Sequence, residues 1–284
     1  MKVLVTGAKG QLGQDVVKLL EGQTCEVFGF GREELNITDE KQVNEKVLSI
    51  QPDVIIHTAA YTQVDQAESD EEAAFKVNAE GTKYLAQAAE VVGAKFCYVS
   101  TDYVFDGTKN APYKADDQTN PQTVYGKSKL VGEQYTKEYC SKYYIVRTSW
   151  VFGVYGNNFV KTMLRLAESK NEIGVVNDQV GSPTYTADLA NFIINLVKSN
   201  KYGIYHASNS GVCSWYDFAQ EIFKLAQLDI KMKPLKSEEF IRAAVRPKYS
   251  VLYKEDTQEQ EIYKFADWED ALKRYFVAVE NLKC

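Results

Sequence analysis

Tyr125 and Lys129 stand four residues apart, downstream of a strand-like segment that ends Ser100-Thr101-Asp102-Tyr103. Together with Thr101 they supply a phenol, an ammonium and a hydroxyl, a set suited to passing a proton to a carbonyl oxygen as it is reduced. On a helix an i, i+4 pair shares one face. A free tyrosine holds its proton to about pH 10. A neighbouring ammonium favours the phenolate, so Lys129 is expected to bring Tyr125 toward its working range. Thr101 is expected to end the strand and turn its hydroxyl to the same oxygen. A second set opens the chain. Gly7, Gly10 and Gly13 are spaced GxxGxxG, with Gln11 and Leu12 between the last two. Such glycines let the backbone turn sharply and let phosphates approach. The helix start that follows offers free N–H groups and about half a positive charge to a pyrophosphate.

The elements that must position these residues read as alternating strands and helices. Residues 2–6, 26–30, 54–57, 96–99 and 143–147 read as strands, the first followed by helical spacing from Asp15 to Leu20. Residues 70–92 carry a helical apolar period, and Tyr125 and Lys129 lie on the next helix. Ligands of doubly wound sheets bind at the carboxyl ends of strands, which puts Gly7, Ala59 and Thr101 on one rim. The expected fold is α/β, a doubly wound parallel sheet of Rossmann type with a smaller α+β lid. Residues 106–122 are turn-rich and polar. After about residue 150 the alternation breaks: a helix from Gly156 through Lys170, a loop at 176–184, a helix at 186–198, a strand at 203–206, and a helix over 214–227 capped by Ser214. Residues 1–150 with about 184–208 are expected to form the dinucleotide-binding domain. About 151–183 and 209–284 are expected to form the substrate-binding domain.

The second strand ends without the acid that would hold an adenosine ribose 2′-hydroxyl. Gly31-Arg32 stands there instead, and Arg32 is suited to a 2′-phosphate, at roughly 1.5–3 kcal/mol for a charge-assisted bond. The expected cofactor is therefore NADP(H), ahead of NAD(H). The small residues Ala59 and Ala60 leave room for a cofactor against the third strand.

The chain has 284 residues and a net charge of −6, which argues against a nucleic-acid or membrane-surface role. Five scattered cysteines without CxxC spacing point to reduced thiols, a cytoplasmic protein and no zinc site. No leader is read at the N-terminus, and no apolar run reaches the roughly 18 residues of a membrane span. His57 and His206 lie beside strands and read as core or strand-end residues rather than catalysts.

With Tyr-x-x-x-Lys downstream, the GxxGxxG spacing resembles the extended short-chain dehydrogenase/reductase superfamily. Local motifs narrow the resemblance. Ala59-Ala60-Tyr61-Thr62-Gln63-Val64-Asp65, Ser100 through Phe105, Arg147-Thr148-Ser149-Trp150, Gly156-Asn157-Asn158-Phe159, Asn177-Asp178-Gln179 and Arg246-Pro247 resemble the dTDP-4-dehydrorhamnose reductase family, in its order and over nearly the whole chain. The resemblance implies NAD(P)H-dependent reduction of the 4-keto group of a dTDP-linked 6-deoxyhexulose, giving dTDP-L-rhamnose for cell-surface polysaccharide. It implies Thr101, Tyr125 and Lys129 as catalytic residues. Ala59, Ala60, Tyr61 and, near the adenine, Asp39 would join the glycine loop and Arg32 around the cofactor. Thr62, Val64, Asp102, Tyr103 and Trp150 would meet the sugar nucleotide, with Asn157, Asn158 and Arg246 toward its thymidine diphosphate.

Some relatives are described as metal-bridged dimers. A homodimer is carried over as an expectation, but no metal, because Asp15 and Ala187-Asp188 do not supply the matching glutamates. Two rivals stay open. Dehydratases of this branch carry Asp-Glu after the threonine, where this chain has Asp102-Tyr103; an epimerase needs the same Tyr and Lys. A non-catalytic NADP-binding subunit, like the regulatory subunit of methionine adenosyltransferase, would also keep the fold.

Overall fold

A computed structural model describes residues 1–254 and 262–282. Five strands, β1 (Lys2–Thr6), β2 (Glu26–Phe30), β3 (Val54–His57), β4 (Lys95–Thr101) and β5 (Tyr143–Thr148), form a wholly parallel sheet with the edge strand Gly203–His206. The order is Gly203–His206, β5, β4, β3, β1, β2. Parallel strands need covering on both faces, and successive residues point to opposite ones. Val3 and Val5 accordingly face a cluster holding Leu12, Val16, Leu20 and much of the Thr186–Lys198 helix. Leu4, between them, faces Val43, Val47, Leu85 and Ala89 on the other side. The chain order reverses between β1 and β3, which opens a crevice at their carboxyl ends.

A third core lies outside the sheet. Phe152, Val160, Ile173, Phe218, Trp268 and Tyr275 anchor it. The helices Phe159–Ala167, Trp215–Leu225 and Trp268–Asn281 surround it. Ser214 caps the middle helix in a capping box with Asp217.

Several elements differ from expectation. The 70–92 period is not one helix: Glu71–Phe75 passes through a π-turn at Lys76–Glu80 into Gly81–Val92. That turn inserts a residue where Asn78 must face inward to its partners, a known use of π-bulges. The helix expected from Gly156 starts only at Phe159, because the Asn158 side chain accepts from Lys161 N and caps it. Residues 172–176 are a strand paired in parallel with Lys231–Leu235. Within the expected loop, Val180–Gly181 pairs with Cys213–Ser214 and Thr184–Tyr185 with Val151–Phe152.

Candidate active site

β1 delivers Gly7 to the rim in a left-handed conformation, φ +69. A Cβ there would stand 2.6 Å from Ala59 N and 2.8 Å from its Cα. The turn after β1 and the turn after β3 therefore touch at the crevice, and only glycine lets them. Gly10 caps the Gln11–Glu21 helix without any side-chain bond, so its first N–H groups face outward, as a pyrophosphate requires. These residues fit a dinucleotide. Leu12 and Gly13 are buried in the first turn of that helix, and Gln11 accepts from Asn158 Nδ2 at 2.7 Å.

Arg32 is exposed at the end of β2. Sequence reasoning missed Lys9, which leans from the glycine loop against Gly31 and pairs with Glu34. Its signal was its place as the cation inside GxxGxxG. Asp39 is exposed and accepts from Gln42 N at 3.1 Å, capping the Glu40–Ile50 helix. His57, fully buried between Thr6 and Thr82, is pushed down to about 3 by burial and is a neutral core residue.

The structure brings Thr101, Asp102, Tyr103 and Tyr125 together at the end of β4. The Thr101 hydroxyl donates to Asp102 Oδ1 at 3.0 Å and accepts from Tyr103 N at 3.2 Å. The Tyr103 and Tyr125 rings meet edge to face, 5.5 Å apart. This approach depends on Gly126, where a Cβ would lie 2.2 Å from the Tyr103 carbonyl oxygen. Thr123 caps the Val124–Tyr139 helix, so Tyr125 stands in its first turn.

The electrostatics differ from the expectation of a depressed phenol. Burial pushes Tyr125 up to about 12, opposed by Thr101 and reinforced by the Asp102 charge. Lys129 is fully buried, and burial pushes it down to about 7, with Glu133 pulling the other way. Its Nζ donates to Val99 O at 2.7 Å and sits 4.0 Å over the Tyr98 ring. The ammonium thus faces β4 rather than the phenol. The pair shares a helix face, but burial decides both charges.

Two further residues support this helix and were not assigned. Asn78, in the π-turn, accepts from Tyr61 N at 2.8 Å and donates to Tyr61 O and to Ser128 Oγ. It ties the Ala59–Ala60–Tyr61 turn to the Tyr125 helix. Glu133, four residues beyond Lys129, receives Arg147 in two bonds of 2.9 and 2.7 Å and Ser100 at 2.6 Å. The i, i+4, i+8 series of Tyr125, Lys129 and Glu133 was its signal in the sequence.

The expected substrate residues are more dispersed. Trp150 takes φ +48, an outlier for a bulky side chain and a form of strain that clusters at functional sites. Its ring stacks on Trp215 at 3.6 Å and leaves no room for a side chain at Gly181. Arg246 makes a two-bond pair with Asp65, both at 2.7 Å, next to Val64, which opens the short Val64–Ala67 helix. Asp65 was not assigned a role. Thr62 and Asn157 are exposed. Asn158 is engaged by Gln11, the Gly153 carbonyl and its capping bond. Asp188 receives Arg274, Asn209 and Tyr263, so its carboxylate is already satisfied within the chain.

The profile of the RmlD substrate binding domain family matches residues 1–281. The spore coat polysaccharide biosynthesis protein SpsK of Bacillus subtilis strain 168 is 44% identical over 274 residues, 96% of each chain. The dTDP-4-dehydrorhamnose reductase of Aggregatibacter actinomycetemcomitans is 44% identical over 285 residues, 96% of this chain and 97% of that one. The crystal structure of dTDP-4-dehydrorhamnose reductase from Bacillus anthracis strain Ames, in complex with NADP, superposes with a TM-score of 0.96 at 45% identity, covering 98% of this chain and 99% of that one.

Proposed function

This chain belongs to the dTDP-4-dehydrorhamnose reductase family, and from that premise we propose how its rim carries out the family's reaction. The protein is an NAD(P)H-dependent oxidoreductase. It reduces the 4-keto group of dTDP-4-dehydro-L-rhamnose to give dTDP-L-rhamnose, for cell-surface polysaccharide. The cofactor is NADP(H), with NAD(H) as the second candidate.

The observation that carries the site assignment is the edge-to-face meeting of the Tyr125 and Tyr103 rings at the carboxyl end of β4, where the Thr101 hydroxyl accepts from Tyr103 N, with Lys129 one turn behind on the Tyr125 helix. Bound reduced nicotinamide supplies a hydride to the keto carbon. Tyr125, held protonated, donates its proton to the oxygen that gains charge, and Thr101 tunes that bond. Lys129 is assigned to the nicotinamide ribose. Gly7, Gly10, Gln11, Leu12 and Gly13 receive the pyrophosphate; Arg32 and Lys9 face a 2′-phosphate, and Ala59, Ala60, Tyr61 and Asp39 complete the cofactor's edge. Tyr103, Trp150, Thr62 and Val64 form the sugar's surroundings. Asn157, Asn158 and Arg246 are assigned to the thymidine diphosphate, Arg246 by exchanging Asp65 for phosphate. Residues 1–150 with about 184–208 are assigned to the cofactor, and about 151–183 with 209–254 and 262–282 to the substrate; the remainder of the second unit, 255–261 and 283–284, lies outside the described residues.

Among the described residues no helix is long and apolar enough to cross a membrane. The described cysteines are free thiols, which supports a cytoplasmic setting. A homodimer is part of the same proposal and is read by light scattering. The decisive experiment offers a panel of dTDP-linked 4-keto sugars with NADPH to the wild type and to Tyr125→Phe. NADPH oxidation with the 6-deoxy-4-keto sugar, slowed by about 10²–10⁴-fold in the variant, is expected. Isomerisation without NADPH consumption would instead mean an epimerase, and no turnover a binding subunit.

A further inference from the structure

Trp150 stands two residues past Thr148, the last residue of β5, and Thr148 is paired in register with Thr101. Its indole is therefore carried to the same rim as Thr101. The Trp150 and Trp215 rings lie 3.6 Å apart between centroids, with 8° between their planes. That separation is about the contact distance of two carbon atoms, so the rings overlap face to face with almost no offset. Free aromatic pairs prefer offset or edge-to-face arrangements at about 4.5–7 Å. The surroundings must impose this stack. They must also impose φ +48 at Trp150, which a bulky residue keeps only where its neighbours over-determine it. Val180–Gly181 pairs with Cys213–Ser214. One side of that ladder supplies Gly181, where a Cβ would stand 2.6 Å from Trp150 Cε2. The other supplies Ser214, the cap of the helix that begins at Trp215. Phe159 closes on Trp215 at 4.5 Å. Thr184 N donates to the Trp150 carbonyl at 3.2 Å, and Thr184 Oγ1 donates to Ser149 O at 2.6 Å. Phe218, on the same helix as Trp215, is fully buried, as a core aromatic should be, whereas both indoles are only partly buried.

We propose that Trp215 is a positioning residue: by stacking on Trp150 it holds that indole as a fixed apolar surface at the rim, against which the deoxy end of the keto sugar is set. The inference rests on the reductase reading for the sugar, and on the stack alone for the geometry. One face of Trp150 is taken by Trp215, so a sugar meets only what remains of the ring. Pinned by the stack, by the gap at Gly181 and by Thr184, the ring cannot turn to follow a misplaced sugar. A sugar held in one place keeps its 4-keto carbon in one place. Hydride transfer and proton donation from a single phenol both need that.

The test combines circular dichroism with steady-state kinetics of Trp215→Ala, Trp215→Leu and Trp215→Phe. The chain has three tryptophans, and among the described residues only Trp150 and Trp215 stack on each other. The exciton couplet of two indoles therefore reads this pair alone. It should be present in the wild type and absent from all three variants. KM for the keto sugar should rise by about tenfold in the Ala and Leu variants, about what a lost aromatic pair costs, while KM for NADPH stays unchanged. Phenylalanine keeps a flat ring and should restore most of the sugar KM. A role in folding alone would lower the amount of active enzyme, and with it the apparent kcat, but would leave both KM values where they were. In a Trp150→Ala background, adding Trp215→Ala should not move the sugar KM, because Trp215 acts only through Trp150. If the Ala variant does not fold, the Leu variant, which keeps apolar volume, carries the comparison. An unchanged sugar KM in the Leu variant overturns the proposal. So does an equal rise for both substrates, or a Trp215 effect that survives the loss of Trp150. A wild type without the couplet refutes the stack and leaves the reductase reading standing. A couplet with no reduction of any keto sugar overturns the reductase reading, and the use proposed for the stack with it.

Discussion

Lys129→Met should make the protein more stable at acid and neutral pH while abolishing efficient turnover. The buried amine is pushed from 10.5 down to about 7, chiefly by desolvation, although Glu133 favours its charge. That fall corresponds to about 5 kcal/mol, at about 1.4 kcal/mol for each tenfold change. Between about pH 7 and 10.5 the unfolded chain holds a proton on this amine that the native protein has released. Native stability therefore rises with pH across that window, and below it the full penalty of a buried ammonium is present. Methionine keeps the stem and carries no charge. It leaves the Val99 carbonyl without its donor at a cost of about 1–3 kcal/mol. The net expectation is a gain of about 2–4 kcal/mol near pH 6, shrinking and then reversing as pH approaches 10.

The assay is urea unfolding of wild type and variant without cofactor, at a series of pH values. The difference between the two curves is the informative quantity. Two denaturant-stability profiles that run parallel from about pH 6 to 10 would refute the reasoning, because a group ionising in that window cannot be removed without changing the slope. The accompanying loss of cofactor affinity and rate would mark Lys129 as a site residue kept at the expense of stability, a recognised trade-off.

Other substitutions address different links. Arg32→Ala should weaken NADPH by roughly 1.5–3 kcal/mol and spare NADH, and Lys9→Ala should do so to a smaller extent because Lys9 also holds Glu34. Calorimetric titration with both cofactors checks this, and equal losses would exclude either residue as the reader of the 2′-phosphate. Gly126→Ala places a Cβ 2.2 Å from the Tyr103 carbonyl, so the helix must shift and carry Tyr125 with it. Its kcat should drop more than its cofactor affinity, and an unchanged kcat would show that the close approach is unimportant. Glu133→Gln leaves Arg147 without its carboxylate and should destabilise the fold by about 3–5 kcal/mol. An unmoved thermal midpoint would mean that the pair contributes nothing net.

Local signals were legible in the sequence because they are local in space as well. The strand–glycine–helix opening is a contiguous segment, and β1, β2, β3 and β5 each announced themselves by apolar runs. The Tyr125 helix also lay where its spacing put it, with the Thr123 cap added by the structure. Residues whose roles depend on distant partners were not legible. Asp65 and Arg246 are 181 positions apart and meet through a loop with no periodic pattern. The Glu172–Val176 strand is completed by Lys231–Leu235, each too short to stand out alone. Asn158 reads in the sequence as a substrate amide, and its bonds to Gln11 and to the start of the Phe159–Ala167 helix had no signal in its own motif.

The charge state of the site is the deeper case. Spacing placed Lys129 beside Tyr125 and implied that the ammonium lowers the phenol. Spacing along a helix fixes which face a residue occupies, but not what that face is pressed against. Here the face is pressed against β4. The Val99 carbonyl and the Tyr98 ring receive the ammonium, and the phenol is enclosed by Tyr103 and the Thr101–Asp102 turn. Burial then raises one group and lowers the other, toward their neutral forms. A neutral phenol is the form that a reduction needs at the moment the oxygen gains charge. The proposed donor is thereby kept protonated chiefly by its enclosure, with the buried Asp102 charge acting in the same direction.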